Sequence, residues 1–344
     1  MSLSALPRAA RVVLVLCSVL SPVLANAQVS RHVEVRLDAA AMQPRAAGRL
    51  LVFAMPAGMA EAAAKGGKVE EVDASAMAPE AVAIAAMEVP SLAAGASVVL
   101  DADAIAFPQP FSRLPKGDYY LQAVLDANHD YNYGGRGEGD LVSEPTRVRL
   151  GKSHRIPLLA LTRVQPARPD PWAVADDAPA DVREAMAAAR AQTDLLDFAS
   201  PALSAFWGRD IRMRGWVLLP PGYADAGNAA TRYPTAYFTH GFGGSLPGLV
   251  RTVASVAAAM REGSMPPMIW VFLDESSATG THEFADSVNN GPWGHALTSE
   301  LIPSLEARYR MDGKASGRLL NGHSSGGWAT LWLQVTYPRV FGGT

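Results

Sequence analysis

The run Gly322-His323-Ser324-Ser325-Gly326 follows a short apolar segment at 318–320 and opens an apolar stretch of helical texture over 325–337. Few backbones satisfy that order. A strand must turn sharply into a helix with Ser324 at the tip, the geometry of a nucleophile elbow. A G-x-S-x-G match alone is weak, and the strand-to-helix context is what makes it specific. Both glycines have a mechanical role, because a neighbouring Cβ would collide in so tight a turn. The turn exposes the Ser324 hydroxyl. It also aims the positive end of the helix, with the Ser325 N–H, at negative charge developing beside that hydroxyl.

Upstream, 233–239 reads as a buried strand that runs into His240-Gly241-Phe242-Gly243-Gly244. Glycines at a strand end let the backbone approach a substrate closely, so this loop is the expected source of a second N–H donor. Phe242 N–H is the first choice and Gly241 N–H the second. The alternative is a plain glycine-rich turn between a strand and a helix.

Residues 211–344 resemble the esterase family that includes esterase D, enterochelin esterases, feruloyl esterases and the mycolyltransferases. The resemblance rests on an ordered series: Tyr233-Pro234 before the strand, His240-Gly241, a helix through Leu301-Ile302-Pro303 to Tyr309, the elbow at Ser324, and Tyr337-Pro338 to Phe341. It implies an α/β-hydrolase fold with a doubly wound, mostly parallel sheet. It further implies Ser324 as nucleophile, an oxyanion hole from Ser325, Phe242 and Gly241, and no cofactor. The family places an acid and then a histidine after the serine, yet 326–344 contains no Asp, Glu or His. The expectation is a fold incomplete at its C-terminus. Three further strands with crossovers would put about 90 residues beyond Thr344 to carry those partners. As given, the chain is expected to be inactive or crippled. Of the histidines present, His240 is expected beneath the oxyanion turn and His323 facing away from substrate, with His282 and His295 on the surface or against substrate.

Carboxylic ester hydrolysis through an acyl-serine is therefore the leading activity. Acyl transfer to a carbohydrate acceptor and a non-catalytic binding remnant are the alternatives. The substrate is expected to be a small-molecule or carbohydrate-linked ester. The resemblance points to pocket residues within 283–293, where Asn289, Asn290 and Trp293 offer amide and indole donors for a sugar or aryl group. A polar loop capping the next helix is the plainer reading of that segment. Asp274, closing the strand at 268–273, reads equally as a cap or a substrate contact.

Length and composition fit two globular domains: 344 residues, 49% hydrophobic and 18% charged. A net charge of −3 gives no electrostatic footprint for nucleic acid. Arg8 and Arg11 precede an apolar run at 12–20 and the small-x-small triplet Ala25-Asn26-Ala27, the pattern of an export signal cut after Ala27. That run is too short to span a bilayer. Periplasmic or secreted localisation follows. Cys17, the single cysteine, falls inside the signal, so no disulfide is expected.

Residues 28–165 have the texture of an all-β, sandwich-like accessory domain. Short period-two runs recur at Val33, Val35 and Leu37; Leu51 and Phe53; Tyr120, Gln122 and Val124; Val148 and Leu150; Ile156 and Leu158. The Ala-rich stretch at 57–86 reads as a short helix or an excursion between strands. Asp126, Asn128, Asp130 and Asn132 alternate as calcium ligands would, although the loop lacks an EF-hand glycine, and a polar hairpin loop is the competing reading. Residues 166–195 read as a Pro-rich linker with a short helix at 181–192. The hydrolase domain is expected over 196–344, with its first strand at 211–219.

Overall fold

The computed structural model describes residues 32–151, 156–277 and 280–344. The export signal at 1–27, its cleavage site and Cys17 lie outside the described residues. In the N-terminal part, nine strands pair in one sheet: β1 (His32–Leu37), β2 (Arg45–Pro56), β3 (Ala83–Ala93), β4 (Ser97–Asp101), β5 (Ala106–Phe107), β6 (Gly117–Asp126), β7 (Leu141–Ser143), β8 (Thr146–Leu150) and β9 (Leu159–Val164). Their order is β4-β1-β9-β7-β6-β2-β3-β5, with β8 on β6. By hydrogen bonding this is one continuous, mostly antiparallel sheet, whose strands share one core.

In β1 the alternation is plain, with Val33, Val35 and Leu37 facing one core. β2 and β6 are buried on both faces. Leu50, Val52, Leu121 and Ala123 enter the main core, while Leu51, Phe53, Met55 and Val124 form a second cluster on the opposite face. The Ala-rich stretch supplies the cover for that second cluster, through α1 (Ala57–Ala63) and the side chains of Val69, Val72 and Val82. Buried Gln122 fastens the cover, accepting from Val72 N–H at 2.7 Å and Arg136 at 2.8 Å and donating to Ser143 O at 2.7 Å. Leu159 and Leu161 face inward in β9, one residue out of the phase expected from Ile156 and Leu158.

The C-terminal part contains α2 (Ala180–Ala191), β10 (Thr193–Ala199), α3 (Pro201–Trp207), β11 (Arg212–Leu218), β12 (Thr235–Thr239), α4 (Val250–Arg261) and β13 (Ile269–Leu273). Two short hairpins follow, β14 (Ser276–Ser277) with β15 (Gly280–Thr281), and β16 (Asp286–Ser287) with β17 (Gly291–Pro292). Then come α5 (Trp293–Ala296), a π turn (Leu297–Leu301), α6 (Ile302–Arg308), β18 (Arg318–Gly322) and α7 (Ser325–Thr336). The sheet order is β10-β11-β13-β12-β18, parallel across β13, β12 and β18 and antiparallel at β10 and β11.

Successive strand residues face alternate helical layers, as a sheet covered on both sides requires. Trp216, Leu218, Trp270 and Phe272 pack toward α4, whereas Val217, Tyr237, Val271 and Leu273 pack toward α6 and α7. Within the expected linker, α2 buries Ala189 in the α4 cluster, and Trp172 meets Trp216 edge-on with ring centres 5.5 Å apart. Strand β10 begins inside that same stretch, so the sheet starts earlier than the expected first strand. Helix α7 buries Gly326, Ala329, Thr330 and Leu333 and exposes Trp328, Leu331, Trp332 and Val335. No helix of the described residues is long and apolar enough to cross a membrane.

Candidate active site

Strand β18 ends at Gly322, α7 begins at Ser325, and Ser324 between them has φ 57° and ψ −120° with an exposed side chain. A residue with a Cβ pays for such a backbone in strain, and the surroundings hold it there. A Cβ on Gly322 would lie 2.2 Å from Gly326 O, and one on Gly326 would lie 2.3 Å from Thr239 O. The glycines are thus required by backbone contact between the elbow and β12. Thr239 Oγ1 locks the contact by donating to Gly326 O at 2.8 Å. His323 points its side chain into solvent.

β12 lies beside β18 with Thr239 paired to Gly322, which delivers the following loop to the serine. A Cβ on Gly241 would lie 3.1 Å from Ser324 Cβ. Gly243 takes φ +83°, and Gly244 N–H closes the turn onto Gly241 O at 2.9 Å. Among the described residues, the N–H groups of Gly241, Phe242 and Ser325 have no hydrogen-bond partner.

His240 is buried beneath this turn, with Nδ1 2.9 Å from Gly241 O. Its Nε2 accepts from Glu275 N–H at 2.9 Å or, when protonated, donates to Asp274 Oδ1 at 3.2 Å. Asp274 also accepts from Ser276 N–H at 3.0 Å, so it caps the end of β13. Burial raises its carboxyl, but the bonds from His240 and Ser276 outweigh that and hold it below the usual carboxylate range.

Next to it, Glu275 is fully buried, and burial, reinforced by the charge of Glu283, pushes its carboxyl up to about 10. Both Glu275 carboxyl oxygens are buried with no hydrogen-bond partner among the described residues, while Glu283 accepts from the Thr281 hydroxyl at 2.8 Å. His282 is buried, not at the surface as expected. It stacks on Trp293 with ring centres 3.7 Å apart, and burial pushes it down to about 3, so it is neutral. Trp293 is likewise buried and spends its indole N–H on Asn290 O at 2.7 Å, which corrects its reading as a donor to substrate. Asn289 is exposed and Asn290 half-buried. Asp286 supplies the helix cap in this loop, accepting from Gly294 and His295 N–H at 2.8 and 3.0 Å. Among the described residues no hydrogen bond joins Ser324 Oγ to an imidazole or carboxylate.

Asp126 and Asp130 of the expected alternating set, together with Asp140, bring carboxylate oxygens within 4.8 Å of one another. Asn128 donates to Glu138 O at 3.0 Å and Asn132 accepts from Gly134 N–H at 2.6 Å, so both serve the loop itself. Asp126 accepts from Asp130 N–H at 2.9 Å and from Arg49 at 2.7 Å; Asp140 accepts from Ala127 and Gly137 N–H at 3.0 and 2.7 Å. The same loop carries Tyr133, which sequence reasoning missed. Its hydroxyl donates to Gly244 O at 2.7 Å, and its ring centre lies 5.2 Å from that of Phe242.

Residues 206–343 match the family model described as "Putative esterase". Similar solved structures include a ferulic acid esterase from Anaeromyces mucronatus in complex with ferulic acid, 19% identical over 44% of this chain and 55% of that one, with a TM-score of 0.34. An S-formylglutathione hydrolase from Agrobacterium tumefaciens is 15% identical over 43% of this chain and 55% of its own, with a TM-score of 0.34. This chain spans a little over half the length of these structures. No curated protein matches the sequence.

Proposed function

We propose, from the match of residues 206–343 to the esterase model, that the chain carries the nucleophile and oxyanion half of a serine carboxylic ester hydrolase. Ser324 Oγ attacks the ester carbonyl as its proton passes to a base from outside the described residues, which returns it to the departing alcohol oxygen. The N–H groups of Ser325 and Phe242, with Gly241 beside them, hold the oxyanion; the alcohol leaves, and water then frees the acid from the acyl-serine. The observation that carries this reading is the exposed Ser324 at φ 57° on a glycine-bounded turn, packed against a loop with unpaired amides. Donors preset where charge develops are the largest single contribution such sites make.

The reading includes a handicap. His240 and His282 are buried and engaged elsewhere, and His295 and His323 are exposed. Loss of a triad histidine costs on the order of 10⁶-fold in a related chemistry. No base is bonded to Ser324 Oγ among the described residues, and the chain as given is proposed to be crippled. Residues 28–165 are proposed as an accessory domain, and 1–27 as the signal for export.

The test is acylation by p-nitrophenyl acetate. The purified chain should show no turnover above its Ser324→Ala variant. Added imidazole, an external base, should produce an acetyl group on Ser324 detectable by mass spectrometry. Acylation indifferent to Ser324→Ala would overturn the nucleophile assignment, and Ser324-dependent turnover without imidazole would overturn the handicap.

A further inference from the structure

Tyr133 belongs to the N-terminal sheet's 126–140 loop, yet its two contacts are with the loop after β12. From these contacts we infer that Tyr133 is a positioning residue for the oxyanion loop, so that the N-terminal part sets the donor geometry beside Ser324. The inference rests on the esterase reading of that site.

The receiving loop has little to hold itself. Three of its four residues at 241–244 are glycine, and Gly243 sits at φ +83°. Phe242, the one side chain, is half-exposed. The peptide between Gly241 and Phe242 is planar and trans, so fixing Gly241 O on one side sends Phe242 N–H to the other. Gly241 O is held by Gly244 N–H and by His240 Nδ1, each at 2.9 Å. Gly244 is in turn held from outside by the Tyr133 hydroxyl at 2.7 Å. The chain of bonds thus runs from Tyr133 through Gly244 to Gly241 O, and through the peptide plane to the Phe242 donor. The link through Gly244 is mechanical: its C=O and N–H lie on adjacent peptides, so holding one restricts the rotation that would free the other. Ring contact at 5.2 Å with an interplanar angle of 48° fixes the Phe242 side chain as well.

The arm that presents Tyr133 is braced on both sides of it. Asn132 accepts from Gly134 N–H at 2.6 Å through its side chain and from Gly135 N–H at 2.9 Å through its carbonyl. Arg168 donates to Gly134 O at 3.3 Å and to Arg136 O at 2.9 Å. Arg49 ties Tyr131 O at 3.1 Å to the Asp126 carboxylate at 2.7 Å. A brace needs a rigid origin, and these bonds supply it.

Tyr133→Phe keeps the ring and removes the hydroxyl. In the full chain it should raise amide hydrogen exchange at Phe242–Gly244 about tenfold. It should also lower the imidazole-assisted acylation rate of Ser324 about tenfold, with the ester's apparent Kd and the protein's melting temperature unchanged; a whole donor removed costs 10²- to 10³-fold, and a loosened one costs part of that. Asn132→Ala, which slackens the arm without touching the C-terminal part, should give the same pattern at smaller amplitude. Exchange at 242–244 equal to wild type in Tyr133→Phe overturns the inference whatever happens at the serine. Raised exchange with no Ser324 acylation in either protein sinks the esterase reading and leaves the brace standing.

Discussion

The loop at 126–140 and the segment at 274–283 both bury carboxylates close to Tyr133, and they differ in what neutralises them. In the loop, Asp126 and Asp140 are met by backbone N–H groups and by Arg49. Behind β13, Glu275 has no ion-pair or hydrogen-bond partner among the described residues, and burial beside Glu283 keeps it protonated. Donors built into the chain fix a shape, because moving the carboxylate breaks several bonds at once. A proton held only by burial can leave with rising pH. Burial pushes Asp140 only to about 6, so its carboxyl has lost its proton at a pH where Glu275 still keeps one.

The largest effect should come from the loop. Asp126→Ala strips the partner of Arg49 and the Asp130 N–H acceptor; a fully buried pair would cost about 3–5 kcal/mol, and the quarter-exposed Arg49 side chain puts the loss at the lower end of that range. Urea unfolding of the two proteins reads this directly, and a loss well below that range would demote the loop from brace to ornament. A smaller effect separates the clusters by pH. The folded-state pKa of Glu275 lies above its unfolded value, so its stabilisation is complete below the unfolded pKa and is lost as pH rises toward about 10. Between pH 7 and 9 the folded state holds a proton that the unfolded chain lacks, and stability should fall by up to about 1.4 kcal/mol per pH unit. Glu275→Gln should flatten that slope; unchanged slopes would mean Glu275 is ionised in the native protein. The smallest effect is expected from calcium. An ion entering between Asp126, Asp130 and Asp140 must displace the N–H and Arg49 bonds already there, so millimolar calcium should leave the melting temperature in place. A rise with calcium, and not with magnesium, would show that the loop trades those bonds for a cation.

The elbow, β12, β13 and the Gly241–Gly244 turn were legible because their signals are local: apolar runs bounded by glycines. The position of Ser324 followed from two residues on either side of it. β2 and β6 gave weaker period-two signals because they are buried on both faces. β10 hid behind Asp194 and Asp197, astride the expected boundary between linker and hydrolase domain, although Leu196 and Phe198 face the core. Trp293 was misread as a free donor because its acceptor, Asn290 O, is a backbone atom placed by a hairpin. Tyr133 and Gly244 stand 111 residues apart, and nothing in either neighbourhood announces the other.

That last pairing changes what counts as a minimal unit. A fragment excised at the proline-rich stretch, from about residue 166 onward, would retain the serine and every amide around it. It would nonetheless leave the glycine turn without its external prop, and whoever trims this protein to its family-matched half should expect a looser catalytic corner than the intact chain offers.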